Sequence, residues 1–299
     1  MNKKISVLFL GSILIFGIVL FSLNLTEVNA ISQLGQKTLV LYDAASGSIP
    51  STQLINFIDF PLGTATPIYE NASTTLDTTI SGNETYAGWL ANSGSTSGFP
   101  LLDRVTGFHI NFSIQVEAES HSNHNRAGFS VIILGNDAKG VELAFWENEI
   151  WSQNDDRTGG SFTHGEAVSF NTADLINYQL TITGDIYTLN ANGVSILAGP
   201  LRDYSKFDGF PDPYQTPNFL FMGDNTTSAQ AHIRLSYVSV TGNEAATPTA
   251  IPTNTAAMTL TATQTPIRTP TSIPTVSPTP MPTGIETCPL VRFLMRLFR

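Results

Sequence analysis

Residues 108–117 read Phe-His-Ile-Asn-Phe-Ser-Ile-Gln-Val-Glu, so that apolar and polar side chains alternate without a break. A period of two places successive side chains on opposite faces of a β-strand, one buried and one in water. Residues 127–134, Ala-Gly-Phe-Ser-Val-Ile-Ile-Leu, are apolar on both faces, which is typical of a central strand. These two stretches indicate a layered β protein.

Turn signals separate further strand-like segments along the chain. Gly184-Asp185 and Asn192-Gly193 interrupt alternating apolar segments over residues 179–197. Asn-Gly is a strong signal for a two-residue β-hairpin. Residues 218–222 and 232–240 are again strand-like, and the sequence contains no convincing amphipathic helix over this central part. Many short strands at such spacing predict an all-β, antiparallel jelly-roll sandwich of the concanavalin A-like kind.

The composition favours an extracellular protein. Of the 299 residues 13% are charged, and the formal net charge is −10. Average globular proteins contain about 25% charged residues, so this surface depends on uncharged polar side chains instead. The acidic balance argues against a nucleic-acid partner, because phosphate contacts need clustered Lys and Arg. Cys288 is the single cysteine, which excludes an intrachain disulfide.

The two ends of the chain differ from its middle, and they define four predicted segments. Residues 1–30 have the charged, apolar and small-residue regions of a secretory signal peptide, with an uncut membrane anchor as the alternative. Residues 36–242 form the sandwich domain. Residues 243–284 are a Thr/Pro-rich, disordered stalk, and residues 285–299 are a short basic amphipathic tail able to contact a membrane. We therefore expect a secreted, cell-surface protein.

Four stretches of the middle segment resemble the bacterial choice-of-anchor Y domain family. They are residues 126–132, 139–153, 189–193 and 223–227, and the specific one is Phe-Trp-Glu-Asn-Glu-Ile-Trp at residues 145–151. The general pattern is similar to that of concanavalin A-like and laminin-G-like jelly rolls. The resemblance implies an exported domain of unassigned activity that is joined to different anchors in different relatives. The tail of this chain lacks the membrane-spanning segment with which such relatives end.

The cluster Trp146-Glu147-Asn148-Glu149 contains the candidate catalytic residues. Glu147 and Glu149 are two positions apart, and a pair of carboxylates is what jelly-roll glycoside hydrolases use. However, Val141, Leu143 and Phe145 alternate inward before the cluster, and Ile150 resumes after it. This pattern indicates strand, tight turn and strand, with the carboxylates at an exposed hairpin tip. The sequence therefore leans against an enzyme.

Aromatic side chains are the candidate ligand-binding residues. Trp146 and Trp151 would stack on sugar rings beside Asn148, and Trp89 is a second candidate in a loop-like setting. The alternative is that one or both of Trp146 and Trp151 fill the core. Nearby His121 and His124 have the spacing of metal ligands, but a polar loop explains them equally well.

Oxygen-rich loops provide weak candidates for a structural Ca²⁺ site, although charge and composition do not establish one. The candidate ligands are Asp137, Asp155, Asp156 and Asp224. Taken together, the sequence favours a non-catalytic binding domain on the bacterial cell envelope, with a polysaccharide or other glycan as its partner. A glycoside hydrolase using Glu147 and Glu149 and a purely structural or adhesive surface protein are the two alternatives.

Overall fold

The computed structural model describes residues 35–80, 85–155, 162–207 and 212–244. Its first strand begins at Gln36 and its last strand ends at Asn243. The predicted signal peptide, the tail, and all but two residues of the predicted stalk lie outside the described residues. Among the described residues, no helix has the length and apolar character needed to cross a membrane.

The described residues form two antiparallel sheets. The first sheet has eight strands: β1 (Gln36–Asp43), β3 (Ile68–Glu70), β4 (Ser73–Asp77), β6 (Phe108–His121), β11 (Ile176–Thr183), β12 (Ile186–Ala191), β13 (Val194–Pro200) and β15 (Ala229–Asn243). The second has seven: β2 (Asn56–Phe60), β5 (Tyr86–Asn92), β7 (Ser130–Leu134), β8 (Gly140–Phe145), β9 (Glu149–Gln153), β10 (His164–Ser169) and β14 (Phe219–Asp224). Short 3₁₀ helices at Ala44–Ser46 and Pro50–Thr52 follow β1.

The chain crosses repeatedly between the two sheets. Strands β4 to β7 belong alternately to the first and second sheets, and so do β13 to β15. As a result β6 lies between β11 and β15, and β14 lies between β7 and β5. Two packed antiparallel sheets joined in this way form a jelly-roll sandwich, which confirms the predicted fold class.

The local patterns that predicted the fold match their strands. The alternating residues 108–117 lie in β6, and β7 is a central strand whose five residues are all buried. Asn192 and Gly193 connect β12 to β13 with φ angles of 49° and 82°. Positive φ at both turn residues is what a type I′ hairpin requires, and Asn and Gly adopt it most readily.

Aromatic rings from both sheets meet in the core. Phe112 of β6 stacks on Tyr178 of β11, with ring centroids 5.2 Å apart. Phe145 of β8, in the facing sheet, meets Phe112 and Tyr178 edge-on at 6.1 and 5.5 Å. Aromatic side chains bury large areas, and edge-to-face pairs add a further favourable term. This cluster therefore ties the two sheets together.

The second sheet has a covered outer face. Ile132 and Leu134 of β7 and Phe219 and Phe221 of β14 point away from the sandwich core. Side chains from outside the strands, Phe162, Tyr204 and Tyr214, pack on them in a separate buried cluster. Loops thus form a third layer over this sheet, and the candidate functional site lies within that layer.

Truncating the aromatic contact between the sheets tests the core. We expect Phe145→Ala to lower the free energy of unfolding by about 3–5 kcal/mol, because it removes a fully buried ring and leaves a cavity. Val105→Ala is the control, since Val105 is 78% exposed and should change stability by less than about 0.5 kcal/mol. Urea denaturation of both variants measures the difference. Similar values for the two would contradict this core.

Candidate functional site

The turn between β8 and β9 forms where the sequence indicates it. The backbone N–H of Trp146 donates to the carbonyl oxygen of Glu149 at 2.9 Å. Glu147 and Asn148 are exposed at the tip of this hairpin. Glu147 therefore lies within a tight turn and Glu149 at the start of β9, so the two candidate carboxylates do not share one face of a straight strand.

Trp89 lies in the core and not in a loop. It is fully buried on β5, and its ring centroid is 6.0 Å from that of Phe57. A ring without exposed surface cannot stack on a sugar in this structure. The prediction that Trp89 is a ligand-binding residue is therefore wrong, because Trp89 is a core residue.

Trp146 and Trp151 are buried under histidine rings on the outer face of the second sheet. His164 stacks on Trp151 at 3.8 Å between centroids, and His124 stacks on His164 at 4.6 Å. His121 stacks on Trp146 at 4.0 Å. Trp146 and Trp151 keep only 7% and 0% of their surface exposed. Neither tryptophan offers a free ring face, and neither lies between the two sheets, so both sequence-based interpretations need correction.

The carboxylates around this histidine–tryptophan stack have separate partners. Oε2 of Glu119 lies 2.8 Å from Nδ1 of His121, and burial raises the pKa of Glu119 above its ordinary value. Glu147 accepts a hydrogen bond from the backbone N–H of Glu119 at 3.1 Å. Glu149 lies 3.4 Å from Nε2 of His164. Glu147 and Glu149 thus engage different neighbours.

A cavity of about 260 Å³ opens beside the stack on the same outer face, and we call it the outer cavity. Strands β8 and β9 supply Glu142 and Gln153, and the remaining lining comes from β5 and from loops. The full lining is Tyr86, Arg126, Glu142, Gln153, Phe162, Phe207, Pro213, Tyr214, Asn225, Thr226, Thr227 and Ser228. Aromatic rings and hydrogen-bonding groups thus surround one small volume.

Tyr204 separates β8 from β9 at the edge of the outer cavity. Direct pairing of these strands runs from Phe145 opposite Ile150 to Leu143 opposite Ser152. Beyond that point the Tyr204 hydroxyl accepts from the Glu142 N–H at 3.1 Å and donates to the Gln153 carbonyl at 2.7 Å. One buried hydroxyl therefore satisfies two backbone groups that a direct ladder bond would otherwise join.

The Glu142 carboxylate is buried at the cavity wall with neutral partners. The Tyr214 hydroxyl donates to Oε2 and the Asn225 amide donates to Oε1, the latter at 2.9 Å. Burial, followed by the nearby Glu142 charge, raises the pKa of Tyr214 well above its ordinary value. Tyr214 therefore acts as a neutral donor that holds Glu142, and the pair fixes one wall of the cavity.

Gln153 and Arg126 contribute polar groups with spare capacity. Gln153 is 3% exposed, and its Nε2 has no hydrogen-bond partner among the described residues. Nη1 of Arg126 donates to the carbonyl oxygens of Asn125 and Phe162 at 2.6 and 3.3 Å. The guanidinium carbon lies 5.8 Å from the centroid of the Phe162 ring. Both side chains line the outer cavity.

The candidate Ca²⁺ ligands do not converge in the described part of the chain. Asp137 pairs with Arg104 at 2.7 Å, and Asp155 accepts from the backbone N–H of Asp203 at 3.1 Å. Asp224 is buried and accepts from the Thr78 hydroxyl at 2.8 Å. No group of three or more potential ligands occurs among the described residues. Asp156 lies outside them.

Sequence reasoning missed the residues that line the outer cavity. Glu142 offered a signal, because it is a lone charge within the apolar stretch Val141–Phe145. Gln153 also offered a signal, because it lies two residues after Trp151 on the same strand, and side chains two positions apart point to the same face. Tyr214 offered none, and neither did Tyr204, which bridges Glu142 and Gln153 at the edge of the cavity, because both belong to irregular segments whose contacts are distant in sequence.

Comparisons with known proteins give only a distant likeness. Neither a protein-family model nor a curated protein sequence matches the chain, so the resemblance to the choice-of-anchor Y family stays a prediction. Among solved structures, the carbohydrate esterase from Shiga toxin-encoding bacteriophage phi24B is similar at 13% identity and a TM-score of 0.47, over 70% of this chain and 100% of that one.

Two further structures show the same degree of likeness. The family 7 alginate lyase A1-II′ has 14% identity and a TM-score of 0.39, over 71% of this chain and 94% of that one. A protein of unknown function from Shewanella oneidensis MR-1 has 13% identity and a TM-score of 0.41, over 73% and 90% of the two chains. Likeness at this level does not establish a shared activity.

Removing the Tyr204 hydroxyl tests the bridge between β8 and β9. We expect Tyr204→Phe to lower the free energy of unfolding by about 1–3 kcal/mol, because it leaves two buried backbone groups unpaired. Tyr178→Phe is a matched control, since the buried Tyr178 hydroxyl has no hydrogen-bond partner among the described residues. Its loss should be neutral or slightly stabilising. Equal destabilisation in both variants, measured by urea denaturation, would contradict the bridge.

The histidine–tryptophan stack should make stability depend on pH. Burial lowers the pKa of His164 below its ordinary value of 6.5. As the pH falls below about 6.5, His164 therefore binds a proton in the unfolded chain before it does so in the folded chain. The free energy of unfolding falls as a result. His164→Phe keeps a ring on Trp151 and removes this contribution.

Urea denaturation at pH 7.5 and pH 5 measures the effect. We expect a smaller loss of stability in His164→Phe than in the unchanged chain. His109, whose pKa burial also lowers, contributes equally to both chains and cancels in the comparison. An equal loss in the two chains would contradict this role of His164.

Proposed function

We propose that this domain binds carbohydrate without converting it, and that the ligand occupies the outer cavity. The Gln153 amide nitrogen, which has no hydrogen-bond partner in the described part of the chain, carries the proposal. A buried N–H group that has lost water and gained no acceptor destabilises the fold, so its retention at a cavity wall suits an external acceptor. The hydroxyl oxygens of a sugar are acceptors of this kind.

The lining of the outer cavity supports a sugar as the ligand. Sugar rings combine apolar C–H faces with hydroxyl groups, and the lining combines the half-buried rings of Tyr86 and Phe207 with the hydroxyls of Thr226 and Ser228. Ligand sites commonly use this mixture of aromatic faces and a few placed polar groups. A volume of about 260 Å³ suits one sugar residue of a longer chain.

The carboxylates do not favour hydrolysis. Within the described residues, Glu142 is the one carboxylate that lines the outer cavity, whereas glycoside hydrolases typically use two. Both Glu142 oxygens already accept hydrogen bonds from Tyr214 and Asn225. Glu147 and Glu149 do not line the cavity. Binding without catalysis is therefore the function that we propose, for a domain exported and displayed on the bacterial surface.

A substitution at Gln153 separates binding from stability. Gln153→Met keeps the side-chain volume and removes the unpartnered amide, so we expect unchanged or higher thermal stability. We also expect affinity for a bound glycan to fall about tenfold or more, since one lost hydrogen bond of about 1.4 kcal/mol has this effect.

Isothermal titration calorimetry with glycans identified on an array measures this change in affinity. Gln179→Met is the matched control, because Gln179 lies on the outer face of the first sheet and not in the outer cavity. The control should keep full affinity. Unchanged affinity in Gln153→Met, or no bound glycan at all, would contradict the proposed site.

A further inference from the structure

Arg126 differs from the other arginines of the described part of the chain. The other three pair with carboxylates: Arg104 with Asp137 at 2.7 Å, Arg202 with Glu166 at 2.5 Å, and Arg234 with Glu117 at 2.9 Å. Within the described residues, no carboxylate lies at ion-pair distance from Arg126. In a chain with a net charge of −10, an arginine that pairs with none of the described carboxylates is unexpected.

Neutral groups hold Arg126 in place. Its Nη1 donates to the carbonyl oxygens of Asn125 and Phe162, and its guanidinium lies over the Phe162 ring. Its own backbone is also fixed, since its carbonyl oxygen accepts from the Trp146 indole N–H at 2.8 Å. These contacts orient the side chain without neutralising its charge, and the side chain lines the outer cavity.

Glu142, the carboxylate that lines the cavity in the described part of the chain, does not compensate Arg126. Tyr214 and Asn225 occupy both oxygens of Glu142. A partly buried guanidinium that has no counter-ion among the described residues has lost part of its hydration, so an incoming anion would restore favourable electrostatics. Arg presents a planar set of N–H donors that matches a carboxylate with two parallel hydrogen bonds.

We infer that the ligand of the outer cavity is an acidic carbohydrate, and that Arg126 binds the carboxylate of one uronic acid residue. This inference rests on the proposed function and specifies its ligand class. Nη2 and Nε of Arg126 are the donors that the carbonyl contacts leave for the carboxylate. The Gln153 amide and the hydroxyls of Thr226 and Ser228 then contact the sugar hydroxyls.

Matched oligosaccharide pairs test the charge requirement. The full chain is screened on an array of galacturonate, glucuronate, mannuronate and guluronate oligomers, each printed beside its carboxyl-reduced form and a sulfated neutral oligomer. We expect binding to at least one uronate oligomer and at least tenfold weaker binding to its reduced form.

Calorimetry with the bound oligomer then tests Arg126 itself. We expect Arg126→Gln to weaken uronate binding at least tenfold and to leave the weak binding of the reduced form unchanged. Arg126→Lys keeps the charge and loses the planar donor set, so its affinity should be intermediate. Arg104→Gln, which breaks a surface ion pair outside the cavity, is the control and should keep full affinity. Thermal denaturation of each variant checks that the fold is retained.

The outcomes separate the inference from the proposed function. Equal binding of a uronate and its reduced form, with no effect of Arg126→Gln, would leave carbohydrate binding intact and overturn the acidic ligand. Binding confined to sulfated oligomers would also overturn the inference that Arg126 binds a carboxylate. Binding to none of the oligomers would overturn the proposed function together with the inference.

Discussion

The second sheet is apolar on both faces, and this constraint explains the covering loops and the position of the outer cavity. Strands β7 and β14 present Ile132, Leu134, Phe219 and Phe221 away from the sandwich core. Water cannot cover such a surface without a large free-energy penalty, so loop residues must bury it. Covering loops that carry tyrosines bring hydroxyl groups into an apolar layer. Each buried hydroxyl then needs a partner, and this need determines where the loops attach.

The tyrosine hydroxyls attach the covering layer to the edge of the strand pair β8–β9. Tyr204 connects Glu142 N–H to the Gln153 carbonyl, and Tyr214 donates to the Glu142 carboxylate. Because the two Tyr204 contacts take the place of direct strand pairing, β8 and β9 are not hydrogen-bonded to each other at this point. The cavity therefore lies where strand pairing gives way to bonds with the loops, and its polar character has the same cause.

The sequence predicts those features that depend on neighbours along the chain. Alternation over residues 108–117 is sufficient for β6, and Asn192-Gly193 is sufficient for the turn after β12, because both signals are local. The covering layer depends on contacts between residues far apart in sequence, which no period reveals. Trp146 and Trp151 show the limit of prediction from local patterns. The sequence is compatible with two environments for them, a ligand-binding surface or the sandwich core. Histidines from other segments create a third, a buried aromatic stack outside the sandwich core.

The net negative charge of the chain does not oppose an anionic ligand as strongly as its value suggests. Charges separated by more than about 10 Å in solution are largely screened at 0.1 M salt, so most surface carboxylates affect the rate of approach more than the bound state. At contact the local arrangement decides, because a charge pair in a partly buried site interacts several times more strongly than in water. Among the described residues, Glu142 is the carboxylate that lines the cavity, and two neutral donors already stabilise it. Had Arg126 paired with Glu142, the cavity would hold a closed ion pair with little capacity for a charged ligand. Neutral partners for both groups keep that capacity available.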